Sequence, residues 1–341
     1  MCSELFRIPY SWGGVPIFGF GVLLVVWAVA GLGSLAMTVR RHGWNAETLS
    51  LLPLLLLTGA AIVGLPRLFP GGLPIRGYGV MVLAGATAGV AMGTYRGLRA
   101  GLDRELLWSM AFWLFIGGMV GGRAFYVIEY WNERFRSDSF RETLARVLNF
   151  PEGGLVVYGA LFGGIATVLW FVRKHKLPAL ATFDLMAPGM AIGLSLGRIG
   201  CFLNGCCYGG SSSLPWAVTF PPGSPPYADQ VARGAISQTS PPLESLPVHP
   251  AQLYSAITAA LLGWLLWCYY PFRRRDGQVV ALMLMLYPIS RFLEEMIRTD
   301  EPAVFGTGMH ISQNISVALL VGVIGLWIYL ARQPRLARPT A

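Results

Sequence analysis

Long apolar runs broken by short polar segments set the pattern of this chain. About 20 consecutive apolar residues are needed to cross the hydrocarbon core of a bilayer. Nine stretches approach that length, at about 14–38, 47–66, 77–96, 105–129, 155–173, 183–203, 250–270, 278–297 and 312–331. The sixth and eighth are weaker, because each carries charge or proline. The pattern predicts an all-α polytopic membrane protein of about nine transmembrane helices, with an irregular head segment on its outer side. Composition agrees: of 341 residues, 54% are hydrophobic and only 13% charged, against about 25% charged in a soluble domain. The first stretch is too long for a cleavable signal and lacks a small-residue cleavage pattern after it. Met1-Cys2 follows no apolar segment, so it is not expected to be a lipobox.

The net charge of +9 raises the question of nucleic acid, but its distribution argues for topology. Basic clusters fall in alternate loops or the tail: Arg40 and Arg41; Arg96, Arg99 and Arg104; Arg173, Lys174 and Lys176; Arg273, Arg274 and Arg275; Arg332, Arg335 and Arg338. Such clusters mark the cytoplasmic side. The expected topology is a multi-pass protein with its N-terminus outside and C-terminus cytoplasmic, and no nucleic-acid partner. The opposite face then carries the two longest polar segments, about 130–154 and 204–249. The first of these also holds Arg134, Arg136, Arg141 and Arg146 among Glu133, Asp138 and Glu142.

An internal repeat organises the N-terminal third. GGVPIFGFGV at 13–22 matches GGLPIRGYGV at 71–80, and the same offset of 58 carries Gly43 onto Gly101, Glu47 onto Glu105, Gly59 onto Gly117 and Gly64 onto Gly122. Each copy reads as a helical hairpin with a basic inner loop. Only the second is polar in its motif, where Phe18 becomes Arg76 and Phe20 becomes Tyr78. Residues 1–70 are therefore expected to be an extra hairpin repeating 71–128, residues 71–331 a membrane core with its outer head at about 204–249, and 332–341 a tail. Nine prolines between Pro215 and Pro250 exclude a span there, with short strands possible around Trp216–Phe220.

Polar groups recur on the outer half of the expected bundle. They are Arg123, Tyr126 and Glu129; Gly153, Gly154 and Tyr158; Arg198; His249, Gln252 and Tyr254; and Arg291, Glu294, Glu295, Arg298 and Asp300. Ionisable residues inside a membrane face the bundle interior and mark substrate paths. Arg291 and Glu295 are four apart, so they share a helical face and can pair; Arg298 follows one turn on. Each also has a plainer reading: an ion pair, a helix start before Pro250, or glycines that let helices pack closely. As a set, several arginines, a histidine and tyrosines at one depth suit a phospholipid headgroup, because guanidinium matches phosphate in a fork. Cys201, Cys206 and Cys207 fall on the same side, as small packing residues, a disulfide or a metal site; C-x4-C-C is not a usual zinc spacing.

Four motifs give the chain its resemblance. Pro74–Met81 (PIRGYGVM), Gly197–Gly209 (GRIGCFLNGCCYG), His249–Tyr254 (HPAQLY) and Arg291–Arg298 (RFLEEMIR) resemble the prolipoprotein diacylglyceryl transferase family over about 71–331. The resemblance implies a bacterial inner-membrane transferase that moves diacylglycerol from phosphatidylglycerol to the lipobox cysteine of a prolipoprotein signal peptide, with no cofactor and no metal. It places the essential arginine on Arg198, the functional tyrosine on Tyr78, and the functional pair on Arg291 and Glu295, with His249 as a further catalytic candidate. Substrate binding falls to Arg198, Asn204, Gly209, Arg76, Tyr158 and Arg298. Three positions depart from the family pattern: Cys201 stands for its asparagine, Cys206 for its glutamate, and Tyr158 for its histidine. Two other readings therefore accompany the first. One is a non-catalytic phospholipid-binding or lipid-moving relative, the other a transferase with another acceptor or donor.

Overall fold

The computed structural model describes residues 4–43, 45–69, 71–137, 139–149, 154–237, 244–298, 306 and 308–335. Asp138, Gly153, Asp300 and Arg338, named above from the sequence, lie outside them. The chain is mainly helical. In order it forms β1 (Glu4–Ile8), β2 (Ser11–Trp12), β3 (Val15–Pro16), α1 (Val22–His42), α2 (Ala46–Leu68), β4 (Leu73–Arg76), α3 (Gly77–Arg99), α4 (Arg104–Glu129), α5 (Phe140–Leu148) and α6 (Val157–Lys174). There follow α7 (Ala179–Asn204), α8 (Pro225–Ala232), α9 (Ala251–Tyr269), α10 (Gln278–Glu295) and α11 (Ile311–Arg332).

Each of the nine apolar stretches contains a helix, with shifted bounds. Among the described residues six helical segments are long and apolar enough to cross a membrane: Val22–Arg41, α3, α4, α7, Ala251–Phe272 and α11. Helices α6 and α10 have 18 residues each, about 27 Å at 1.5 Å per residue, slightly less than a 30 Å core. Helix α2 carries Pro53 and Pro66 inside its 23 residues. The first helix starts at Val22 rather than 14, because Gly13 (φ 57°) and Gly14 (φ 84°) close a two-residue hairpin between β2 and β3. Both residues of such a turn need positive φ, which glycine adopts freely.

The chain divides into two compact units, one running to Met81 with Leu203–Gly205, the other comprising Val82–Phe202 and everything from Cys206 onward. In the first, β1 pairs antiparallel with β4, Glu4 facing Arg76 and Ile8 facing Leu73. Helices α1 and α2 meet where the Trp27 indole lies over Gly59, and its Nε1 donates to Thr58 Oγ1 at 2.8 Å. The repeat offset carries the start of α2 onto the start of α4, and the GG-x-PI segment of each copy forms a strand before its helix.

In the second unit, α7, α9 and α10 share a core of Leu185, Ala187, Ala191, Leu262, Leu266, Val279 and Met283. Asp184, fully buried in α7, accepts the N–H groups of Gly277 (2.7 Å) and Val280 (2.8 Å). It thus caps the positive end of α10. Helices α4 and α6 cross on glycines: a Cβ at Gly121 would lie 2.8 Å from Gly163 Cα, and one at Gly163 would lie 2.9 Å from Gly121 Cα. These two glycines are therefore packing positions. Gly163→Val forces the helices apart and is expected to cost about 1–3 kcal/mol, lowering Tm in detergent by several degrees. Gly322→Val, where nothing lies within 4 Å, is the matched control and should leave Tm in place.

The stretch expected to be an irregular outer head is partly ordered by α8 and by isolated bridges, Ser211 with Val248 and Val218 with Val248. Tyr208, Phe220 and Val248 form a small apolar cluster beneath it. In the other long polar segment, Ser137 and Arg146 hold the exposed Glu142 carboxyl below the usual carboxylate range.

Candidate active site

The last turn of α10 and the residues just after it carry a buried carboxylate with three basic neighbours. Glu295 is fully buried. Arg291 Nη1 lies 2.5 Å from its Oε2, Arg298 Nη1 lies 3.6 Å from the same oxygen, and His310 Nδ1 lies 3.4 Å from Oε1. Spacings of four and three residues place both arginines on the glutamate's face of the helix turn. His310 comes from the start of α11, which it caps, with its own N–H donating to Gln313 Oε1 at 3.0 Å. Arg291 also donates to Ser312 Oγ at 3.0 Å, which ties α10 to α11. A buried carboxylate without cations would be strongly destabilising. Here Arg291 and Arg298 supply them.

Arg198 occupies the penultimate turn of α7. Its side chain lines a narrow cleft with Leu194, Ser255, Thr258, Tyr287, Ser290 and Glu294, whose interior of about 10 Å³ has room for one water. Ser195 Oγ donates to the Ala256 carbonyl at 2.7 Å, fixing α7 against α9 below it. Glu294 is the cleft's carboxylate, and it accepts hydrogen bonds from Ser255 and Thr258 of α9. No carboxylate lies within ion-pair distance of Arg198 among the described residues. Its electrostatic neighbours are Tyr287, Cys207, Cys201 and Arg298. The cleft therefore holds a guanidinium that makes no ion pair among the described residues, with the Glu294 carboxylate in the same wall engaged by Ser255 and Thr258.

The glycines of the Arg198 motif have a packing role. The segment leaving α7 runs between two others: Gly209 N–H donates to the His249 carbonyl (3.0 Å), Gly210 N–H donates to the Ile297 carbonyl (2.9 Å), and Gly209 bridges to Arg298. A Cβ at Gly209 would lie 2.7 Å from His249 Cβ and 3.2 Å from its carbonyl oxygen. Gly209→Ala should thus displace His249 and Arg298 together. The expected result is activity lowered about tenfold or more, given the sensitivity of catalysis to misplacements near 1 Å, with the protein still folded by circular dichroism. His249 itself faces Tyr254, its Nδ1 3.4 Å from that hydroxyl, and Trp216 Nε1 donates to the same hydroxyl at 2.8 Å. Gln252 donates to the Cys206 carbonyl at 2.8 Å.

Cys201, Cys206 and Cys207 converge so that their sulfurs all lie within 4.8 Å of one another, and none is in a disulfide. Cys207 has φ 61°, a conformation uncommon for any residue but glycine, asparagine or aspartate. It turns the chain back toward Cys201, whose carbonyl accepts the Cys206 N–H at 3.2 Å. Three cysteine sulfurs at this separation make a donor set of the soft kind that thiophilic metal ions take.

The remaining sequence candidates are placed as follows. Arg76 ends β4 opposite Glu4, and Tyr78 is exposed in the first turn of α3; both belong to the first unit, as does Asn204, exposed at the end of α7. Tyr158 is exposed in the first turn of α6, outside the Glu295 cluster. Arg123 is buried, but it donates to the carbonyls of Val147, Arg146 and Asn149 at 2.8–2.9 Å, clamping the C-terminal end of α5. Sequence reasoning missed His310 and Tyr287. The spacing of 287, 291 and 295 by fours carried a signal for the tyrosine; nothing local marks the histidine.

Residues 65–329 match the family described as Prolipoprotein diacylglyceryl transferase. The phosphatidylglycerol–prolipoprotein diacylglyceryl transferase of Rhodopirellula baltica is 36% identical over 251 residues, covering 69% of this chain and 50% of the relative. Proteins of the same name from Pseudoalteromonas atlantica (32% identical; 78% of this chain, 89% of the relative) and Clostridium tetani (30%; 76% and 93%) are also similar. The chain thus spans half the length of the first relative and about nine tenths of the other two.

Proposed function

Because this chain belongs to the prolipoprotein diacylglyceryl transferase family, we propose that it transfers the diacylglyceryl group of phosphatidylglycerol to the cysteine thiol of a prolipoprotein lipobox. The observation that carries the reading is Arg198, a guanidinium that makes no ion pair among the described residues, in the wall of a narrow cleft between α7, α9 and α10. A guanidinium so placed matches a phosphate in a fork.

In this reading Arg198 and Arg298 bind the phosphate diester, and Glu295 holds Arg291 and Arg298 in fixed orientation. The substrate sulfur attacks the glycerol carbon that bears the phosphate ester. A carbon–sulfur bond forms, the carbon–oxygen bond breaks, and glycerol phosphate leaves with the bonding electrons. Preorganised guanidinium groups stabilise the charge that grows on that phosphate. The thiol has a reference pKa near 8.5, and nearby arginines favour its thiolate, so a strong base is not required; its proton passes to water or to His249. The resemblance assigns Tyr78 and Asn204 to the headgroup as hydrogen-bond partners. Helices α2, α6 and α10 join the six longer segments as spans of a nine-span inner-membrane protein, N-terminus outside and C-terminus cytoplasmic.

Purified protein in vesicles of labelled phosphatidylglycerol, given a synthetic lipobox peptide, tests the reading. The peptide should gain the diacylglyceryl mass, and glycerol phosphate should appear in equal amount. Lipid binding without thioether formation would instead identify a non-catalytic relative.

A further inference from the structure

A second group of arginines lies at the far end of α9. Helix α9 starts next to His249, contributes Ser255 and Thr258 to the Arg198 cleft, and ends at Trp267–Tyr269. From Ser255 to Trp267 is about 18 Å of helix at 1.5 Å per residue. At that far end a cavity of about 550 Å³ opens between the ends of α3 and α9, lined by Arg96, Arg99, Arg273, Tyr95, Trp267 and Tyr270. This is the size of a small-molecule pocket.

Its charge is positive and only partly compensated. Arg273 is taken up by Asp184 (3.6 Å) and Asp276 (3.8 Å). Arg96 and Arg99 have no such partner among the described residues, and the electrostatic neighbours of Arg96 are Tyr270, Arg273, Tyr95 and Arg99, none of them acidic. The Arg96 guanidinium is held over the Trp267 ring (3.9 Å from its centroid) and the Tyr270 ring (4.3 Å), and donates to the Trp267 carbonyl. Its Nε is buried with no hydrogen-bond partner among the described residues. Arg99 sits over Tyr95, 4.6 Å from the ring centroid. Aromatic faces fix both guanidinium groups without neutralising them.

We propose that this cavity binds the phosphate of an anionic phospholipid in the leaflet opposite the one served by Arg198. Phosphate chemistry follows from two positioned guanidinium groups with unmatched charge. A lipid source follows from the setting. Arg96 and Arg99 end one apolar helix and Trp267 lies near the end of another, the depth where aromatic belts and headgroups meet, and basic pockets between membrane helices on the cytoplasmic side hold anionic headgroups. The site is separate from the transfer chemistry and stands whether or not that proposal holds.

The test uses the full-length protein carrying Arg198→Ala, which removes the headgroup arginine of the first cleft, titrated with phosphatidylglycerol or phosphatidylcholine and read by native mass spectrometry. One phosphatidylglycerol should remain bound in preference to phosphatidylcholine. Adding Arg99→Gln should weaken that binding about fivefold. Adding Arg96→Lys, which keeps the charge but loses the fork, should weaken it as well. Equal binding of the two lipids, or unchanged affinity in both added variants, overturns the site. Complete displacement of the lipid by excess inorganic phosphate would assign the cavity to soluble anions and overturn the lipid source.

Discussion

Replacing Arg198 with alanine is expected to lower diacylglyceryl transfer by about 10²–10³-fold, the range seen when one preorganised charge-stabilising donor is removed. The residue has no carboxylate to satisfy and supports no neighbouring backbone by a hydrogen bond among the described residues. Its removal should therefore leave Tm nearly unchanged. That separation of effects is what distinguishes a ligand-holding arginine from a structural one. Arg198→Lys keeps the charge but offers no bidentate fork, so transfer should fall between the two. Arg123→Ala provides the contrast. That arginine clamps four carbonyls at the end of α5 and just beyond it, so its loss should lower Tm first and activity only through folding.

Glu295→Ala should have the largest effect on stability, about 3–5 kcal/mol, the usual cost of breaking a buried ion pair by removing one partner. Glu295 is fully buried, and Arg291 and Arg298 are largely so. Without the carboxylate, two guanidinium groups face each other in a dry environment, and the tie between α10 and α11 through His310 is lost. Glu295→Gln retains the shape and a carbonyl acceptor, and should keep the fold while lowering transfer. His310→Ala removes only the 3.4 Å contact and the side-chain part of the α11 cap; its cost should be nearer 1 kcal/mol. Thermal unfolding of the three variants in one detergent orders them: alanine at 295 lowest, and alanine at 310 closest to wild type.

The parts of the site that lie within one helix were legible in the sequence. Arg291, Glu295 and Arg298 fall into register because helical spacing alone brings them together. The positions of the helices followed from apolar length, since nothing else in the chain offers 20-residue runs. What could not be read depended on contacts between distant segments. His310 reaches Glu295 from the next helix. The Cys201, Cys206 and Cys207 sulfurs converge because Cys207 takes a left-handed backbone conformation that no spacing rule announces. Arg123 stood among the polar groups of the sequence pattern, yet its partners are backbone carbonyls, and composition does not separate a clamp from a ligand site. The glycines of α4 and α6 could have served a ligand or a helix crossing; the mutual approach of Gly121 and Gly163 decides for the crossing. At Gly209 the crowding against His249 makes the same residue a packing element and a determinant of the site.

The most direct test of the central claim is a mass measurement. Wild-type protein is incubated in vesicles with isotopically labelled phosphatidylglycerol and a lipobox peptide, beside the Arg198→Ala variant. The account predicts a labelled diacylglyceryl thioether on the peptide cysteine with wild type, and at most about one hundredth as much with the variant. An unmodified peptide with wild type, or equal modification with both proteins, would contradict it.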